Sequence, residues 1–410
     1  MQSHLPIHVG VLGAGIQGSC IAMELARRGH RVDLYDRGSE PVTQASFWNE
    51  GKIHLGLVYA NDPTGRTHET MLRGALHFVP YLARWLDGPV TLERESFDYA
   101  VHRTSLLSVE RIAAHFARVE ACYDAMSEGL GLRYPGIAEQ PFAVAMNKHE
   151  RDDRFDPGLI VMAYRTAERV ANPRSLAARL RAAIAAEPRI AFMGDTFVTG
   201  VRTGDQGRIG IESRCDGQVS SAIYDHVVNA LWAGRLEIDR SGDVAYRRSW
   251  LYRTKLGLLL PSQTNLPSVP SVTFVLGSYG DTVRYDDGTL YLSWYPDCMI
   301  GSSSDLVSPD FIADLDETAR AEIAEASLAA LTALLPSLAP YRAQLCKAQV
   351  GGGVIAAWGD AGIEDPASEL HRRYDIGVSS YGRYHSVDTG KYTMAPLFAV
   401  ETCDRIEGAI

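Results

Sequence analysis

The sequence predicts an α/β fold in which a domain built on a parallel sheet is joined to an α+β domain built on an antiparallel sheet. Three observations predict it. A glycine-punctuated strand–turn–helix opens the chain, and an acidic residue closes the strand that follows. Alternating, β-branched and aromatic residues then dominate 250–260 and 272–295.

The opening element reads His8-Val9-Gly10-Val11-Leu12-Gly13-Ala14-Gly15-Ile16-Gln17-Gly18, followed by Arg31-Val32-Asp33-Leu34-Tyr35-Asp36-Arg37. Val9, Val11 and Leu12 supply a short apolar strand. Gly13 allows the tight turn, Gly15 lets the backbone approach a pyrophosphate, and Gly18 lets the next helix pack on the strand. That helix is expected over 19–28, with Ile21, Ala22, Leu25 and Ala26 inward and Gly29 as its stop. The free N–H groups at its start, around Ile16 and Gln17, and a partial charge of about half a unit face the phosphates. Asp36, with Arg37 beside it, ends the second strand, where a carboxylate accepts two ribose hydroxyls. This is a Rossmann-like dinucleotide-binding unit, and it suits NAD and FAD equally.

Further elements follow in order. A helical stripe of Leu72, Leu76, Val79, Leu82 and Leu86 spans 65–86, and Gly88-Pro89 stops it. A helix is expected over 109–126 among short strands. Asn172-Pro173 opens another over 175–186, and strands follow at 189–201 and 208–213. Asp287-Gly288 between Tyr285 and Leu290 signals a hairpin within the antiparallel region. A helix is expected over 318–335, and Gly351-Gly352-Gly353 marks a return of the backbone to the first domain. The chain therefore divides into a cofactor domain (1–88, 159–246, 351–410) and a substrate domain (89–158, 247–350).

Composition narrows the class. The chain has 410 residues, 46% hydrophobic and 22% charged, as in soluble globular proteins. A formal net charge of −10 argues against a nucleic-acid surface and gives no sign of membrane affinity. Six scattered cysteines without a C-x-x-C pair are expected as reduced thiols in a cytoplasmic protein. No metal is expected, because no mixed Cys/His cluster is visible in the sequence. No signal peptide is evident, and no apolar run reaches the roughly 18 residues that span a bilayer.

The segment after the second strand chooses the cofactor. An NAD domain would normally continue with a helix. Here Ala45-Ser46-Phe47-Trp48-Asn49-Glu50-Gly51-Lys52-Ile53-His54-Leu55-Gly56-Leu57-Val58-Tyr59-Ala60 has no clear helical period. It resembles the flavin-contacting loop of the D-amino-acid oxidase and glycine oxidase superfamily of FAD enzymes. Asn49, Gly51, Ile53, His54, Gly56 and Tyr59 are most similar to that stretch in L-2-hydroxyglutarate dehydrogenases. Two later segments resemble the same superfamily. Tyr224 to Arg235 is similar to an apolar strand ending in a small-residue turn near the FAD, although Leu231-Trp232 stand where the family usually has glycine. Ile376-Gly377-Val378, then Ser380 to His385 and Thr389 to Pro396, are similar to the final strand, flavin loop and helix, with 384–388 reading as an insertion. The resemblance implies FAD contacts at Ser46, Asn49, Glu50, Gly51, Lys52, Ile53, Val198, Ala230, Trp232, Gly382, Gly390, Lys391, Tyr392 and Thr393. Noncovalent FAD is expected, since no Cys falls in the C-terminal loop and only His54 offers attachment.

Flavin oxidation of an amine or alcohol needs a substrate C–H aimed at the flavin, a hydride acceptor, and stabilisation of the charge that develops. Four residues are candidates for this chemistry. Lys391, at a helix start, offers a cation to the reduced flavin. His54 offers a neutral imidazole near the reacting carbon. Tyr295, with Tyr285, offers a polar-tipped roof over the pocket, and His385 a lid or substrate contact in the inserted loop. Lys52 could hold a substrate carboxylate, and Arg253, Arg284 and Arg383 are alternative carboxylate forks. The implied activity is oxidation of the C–N bond of an amino acid or secondary amine, on a small substrate carrying an amine or carboxylate. Oxidation of a 2-hydroxy acid and a non-catalytic flavin-binding role are the alternatives.

Overall fold

A computed structural model of the chain describes residues 5–137, 141–262 and 268–408. Its first sheet has the order Gly377–Tyr381, Tyr384–Asp388, His226–Asn229, His8–Leu12, Arg31–Tyr35, Ile190–Met193. The last five run parallel, and Gly377–Tyr381 pairs antiparallel at one edge. Parallel pairing requires covered faces. Helix Ile16–Arg27 provides one cover and packs on the C-terminal helix Ala395–Glu407. An antiparallel meander, Phe197–Thr203, Ile209–Cys215 and Gln218–Tyr224, forms a separate three-stranded sheet.

The second large sheet has nine strands. Trp250–Leu260 is its spine. One edge pairs along its length with Gln349–Trp358, and the other is shared by Met299–Ser303 and Leu290–Trp294. Beyond these lie Gly280–Arg284, Val272–Val275, Asp98–His102, Ile160–Thr166 and Ala143–Ala145. Helix Glu317–Leu334 lays Leu328, Leu331 and Leu334 against Leu256, Leu258 and Leu292 of this sheet. No described helix is long and apolar enough to cross a membrane. All six cysteines are free thiols.

Most elements fall where the periodicity puts them, including the spine strand and the hairpin at Asp287-Gly288, where Gly288 takes φ 80°. Three differ. The stretch 189–201 is two strands, broken at Gly194-Asp195, where Asp195 takes φ 52°. Gly351, Gly352 and Gly353 do not mark a return to the first domain. They lie inside strand Gln349–Trp358, where a Cβ on Gly353 would sit 2.6 Å from the Ala45 backbone and one on Gly351 would strike Trp48. The glycines therefore let the second sheet touch the loop that follows Asp36. Residues 384–388 are not an insertion but a strand of the first sheet, in register with His226–Asn229.

One ion pair fastens that loop to the second sheet. Lys52 is 3% exposed, and its ammonium donates to Thr273 Oγ1 and to Asp281 Oδ1 (2.9 Å), over the Phe97 ring at 4.2 Å. Burial disfavours the Lys52 charge, but Asp281 and then Glu168 outweigh it and raise its pKa. Burial likewise pushes the Asp281 carboxyl upward, but Lys52 and Lys255 outweigh it and hold it below its ordinary range. Asp281→Asn should therefore cost about 3–5 kcal/mol by leaving a buried cation uncompensated. Urea titration checks this. The wild-type contribution should be present above about pH 4, the unfolded aspartate value, and fade as pH falls further.

Candidate functional site

The three fingerprint glycines have different jobs. Gly13 takes φ 91°, and a Cβ there would sit 2.8 Å from the Ala230 carbonyl oxygen. A Cβ on Gly18 would strike the Gly13 carbonyl. Gly15 is unlike both. Its φ of −63° suits any residue, and a Cβ would meet only Ser46 Oγ, at 3.3 Å. Neither backbone nor protein packing demands glycine there, so the space is kept for a ligand. The helix start has no side-chain cap of its own. Ser46 Oγ takes the Ile16 N–H (3.1 Å), and the first intrahelical bond is Ser19 N–H to Gly15 O (2.9 Å). The Gln17 and Gly18 amides therefore remain for an anion.

Asp36 stands beside this cradle, its carboxylate accepting from the amides of Ala14 (2.7 Å) and Gly38 (2.8 Å). Its carbonyl accepts from Thr196, two residues before the buried Val198. Arg37 is exposed. Ala230 donates to Leu12 O and closes the turn beside Gly13. Trp232, one of the two residues standing where the resemblance has glycine, takes a left-handed backbone at φ 56° and donates its indole N–H to Val354 O (2.6 Å).

The loop 45–60 is stiffened from within. Asn49 donates to the carbonyls of Ala45 and Ser46 and accepts from Gly51 N–H (2.7 Å), and Tyr285 donates to Glu50 O. Gly51, at φ 72°, lets the loop pack against Ala171 and Pro173. Lys52–Ile53 pairs with Arg169–Val170. Thr393 then stitches the loop to the C-terminal turn: its hydroxyl accepts from His54 N–H (3.0 Å) and donates to Lys52 O (3.2 Å). Gly390, at φ 61°, turns the chain from Asp388 into Lys391, and Tyr392 packs near Phe78.

Beside this stitch the side chains are strongly charged. His54 is 4% exposed, and its Nδ1 has no hydrogen-bond partner and lies 3.9 Å from Glu168. Burial, then Lys391 and Lys52, hold the imidazole well below its ordinary range, so it is neutral. Glu168 is itself fixed by Leu55 N–H and the Tyr99 hydroxyl. The Lys391 ammonium lies 5.9 Å over the Tyr59 ring, and burial and the charge of Arg373 push it down to about 8. Arg373 donates to Ala356 O (3.0 Å), and burial and the neighbouring Arg253 push it down to about 10. Arg253 donates to the Tyr295 hydroxyl and leaves its buried Nε without a partner. Among the described residues, no carboxylate lies within ion-pair distance of Arg253, Arg373 or Lys391.

Comparison with known proteins fits this geometry. A family model described as FAD dependent oxidoreductase matches residues 8–372. The chain belongs to the FAD-dependent oxidoreductase family. Its cofactor is FAD, and the open face of Gly15, the Gln17 and Gly18 amides and Asp36 are the residues that fit it. The chain is 28% identical over 201 residues to a D-amino acid dehydrogenase of Methylobacterium sp. (strain 4-46), covering 48% of this chain and 45% of that one. It is 35% identical over 78 residues to the tRNA 5-methylaminomethyl-2-thiouridine biosynthesis bifunctional protein MnmC of Shewanella amazonensis, covering 19% of this chain and 12% of that one. The chain thus spans less than half the length of these curated relatives. In structure it is similar to glycine oxidase from Geobacillus kaustophilus, with TM-score 0.65, 16% identity, and coverage of 98% of this chain and 96% of that one. That likeness shows the shared fold.

Within this family member, Lys391 lies near His54, Tyr295 is linked to Lys391 only through Arg253 and Arg373, and His385 does not join them. His385 lies in strand Tyr384–Asp388, 1% exposed, bonded to His226 Nδ1 (3.0 Å) and Ser380 Oγ (2.8 Å), so it is neither lid nor substrate contact. Gly382 is also displaced. It caps the hairpin at the end of the sheet opposite the helix-start cradle, so it does not contact the cofactor. Gln17 spends its side-chain amide on Ala395 O, and Lys52 is committed to Asp281, so it is not free to hold a substrate. Of the arginines, Arg284 pairs with Glu95 and Arg383 lies exposed beside that hairpin, which leaves Arg253. Arg373, Tyr59 and Glu168 were not foreseen as site groups. No local pattern marks Arg373 or Glu168, and Tyr59 was marked only as part of the loop resemblance, since their placement depends on burial by distant segments.

The glycine analysis separates two variants. Gly15→Val should fold and be nearly colourless, because its side chain fills space that only the cofactor uses. Gly18→Val should fail to fold, because its Cβ collides with the Gly13 carbonyl. Circular dichroism and the flavin absorbance of purified protein distinguish the two outcomes.

Proposed function

We propose that the chain oxidises the C–N bond of a carboxylate-bearing amino acid or secondary amine. The observation that carries this reading is the convergence of two buried arginines, Arg253 and Arg373, with the half-buried Lys391, none with a carboxylate within ion-pair distance among the described residues, beside the loop that follows the cofactor fingerprint. When bound, FAD supplies the hydride acceptor. Arg253 and Arg373 bind the substrate carboxylate, and Tyr295 holds the Arg253 fork in place. Lys391 faces the negative charge that develops on reduction. Hydride loss from an amine needs a neutral nitrogen, and the surrounding positive charge favours that form over the ammonium. His54 is too weakly basic to remove an alcohol proton readily, and acts instead as a hydrogen-bonding partner whose backbone Thr393 keeps in position. This suppressed basicity favours amine over 2-hydroxy-acid chemistry.

Anaerobic reduction of the flavin by a panel of amino acids, secondary amines and 2-hydroxy acids tests the reading. Bleaching by amines is expected, and bleaching by hydroxy acids alone would overturn it. With the best amine, Arg253→Met and Arg373→Met should each weaken substrate binding by about 2–5 kcal/mol. His54→Ala should retain most of the limiting reduction rate at alkaline pH. A general base would instead lose about 100- to 10,000-fold.

The Lys391 charge gives a separate pH signature. Its pKa near 8 means the cation is present below that pH and lost above it. Binding of a non-oxidisable carboxylate should therefore weaken as pH rises through about 8. That dependence should vanish in Lys391→Met, as followed by perturbation of the flavin spectrum.

A further inference from the structure

Away from the flavin loop, helices Arg66–Leu82 and Val109–Leu130 bring together three side chains of different donor type. An imidazole nitrogen of His68, a carboxylate oxygen of Glu69 and the sulfur of Cys122 all lie within 4.8 Å of one another. We propose that these residues form a binding site for one divalent transition-metal ion with the ligand preferences of zinc. The site is independent of the amine-oxidation reading.

His68 is the decisive group. It is 3% exposed, yet neither ring nitrogen makes a hydrogen bond among the described residues. With no hydrogen bond to occupy them, the ring nitrogens are free to serve as ligands alongside the thiol and the carboxylate. Its neighbour His115 shows the contrast. His115 Nε2 bonds Gly56 O (3.1 Å), its Nδ1 meets Arg118 (3.4 Å), and its ring stands edge-on to His68 at 5.5 Å. Both His115 nitrogens are spent on holding the ring as a wall, and His68 is left available. Gly65, at φ 81°, gives that ring its room, since a Cβ there would sit 3.0 Å from His68 Cε1.

The donor set is chemically coherent. Nitrogen, oxygen and sulfur ligands are those zinc takes, and ligand atoms about 2.0–2.3 Å from a tetrahedral ion lie about 3.5 Å apart. A side-chain adjustment of about an ångström closes the set, and Glu69, which is exposed, has the freedom to make it. Binding replaces the Cys122 S–H bond with a sulfur–metal bond and releases that proton to solvent. A fourth position stays open to water. The ion would tie together two helices and, through His115 and Gly56, reach the edge of the flavin loop.

The test uses FAD-loaded protein, stripped with a chelator and titrated with zinc against a chromogenic competitor. One zinc per chain is expected, with a melting temperature raised by about 3 °C. His68→Ala and Cys122→Ser should each weaken binding at least about tenfold and remove the thermal shift. Cys346→Ser, at an exposed remote cysteine, should leave both unchanged. Glu69→Gln changes an exposed side chain and keeps the fold, and it should also weaken binding. Flavin content verifies that each variant is folded. Absence of zinc binding in the wild type, or equal binding in all variants, would overturn the proposal.

Discussion

Arg253, Arg373 and Lys391 are taken largely out of water without a carboxylate within ion-pair distance among the described residues. Such burial is costly, and proteins relieve it by pairing or by shifting a pKa. Here the relief is partial: Arg373 and Lys391 are pushed down while remaining cations near neutrality. The contrast with Arg235 is informative. That residue is equally buried but lies between Asp239 (3.5 Å) and Asp388 (3.2 Å), and its charge is stabilised. The fold can neutralise an arginine when structure alone is at stake. Around Arg253 and Arg373 it supplies no such acid among the described residues, and it is this difference that the proposed substrate carboxylate would answer.

Holding like charges together requires a rigid frame, and the frame is distributed. Lys391 comes from the end of the first sheet, Arg253 from the spine of the second, and His54 from the loop between them. Two short polar connections keep these parts in register. Lys52 to Asp281 fixes the loop to the second sheet, and Thr393 fixes it to the C-terminal turn.

This division explains what was legible in the sequence. The fingerprint glycines, Asp36 and the spine strand follow from local rules, and the structure places them within a residue or two of expectation. The loop 45–60 was legible by resemblance, yet its inner workings were not. Lys52 and His54 are two residues apart and have different tasks, because the Lys52 ammonium meets Asp281 while the His54 imidazole lies unpartnered near Glu168 and Lys391. Residues 384–388 misled for a similar reason. Tyr384-His385-Ser386-Val387-Asp388 carries little apolar signal, yet it is buried as a parallel strand because its polar groups pair internally. His385 bonds His226, Tyr384 bonds Asp239 and Asn229, and Ser386 bonds Asp239. A polar strand satisfied by non-local partners resembles a loop in one dimension.

That polar strand also accounts for the position of Lys391. Asp388 accepts Arg235 on one oxygen and the Gly390 amide (3.1 Å) on the other, so the turn that presents Lys391 is anchored to a buried cation. Arg235 is held in turn by Tyr246 (2.9 Å) and by Asp239, which also receives the Tyr384 and Ser386 hydroxyls. An apolar strand could have filled the same volume, but it could not have aimed the turn, since dispersion contacts are non-directional while a carboxylate between two donors is not. The network makes strand Tyr384–Asp388 polar and hard to recognise, and it also fixes one ammonium beside a neutral imidazole and two guanidiniums that have no carboxylate within ion-pair distance among the described residues. The same feature that obscured the fold in the sequence gives the site its geometry.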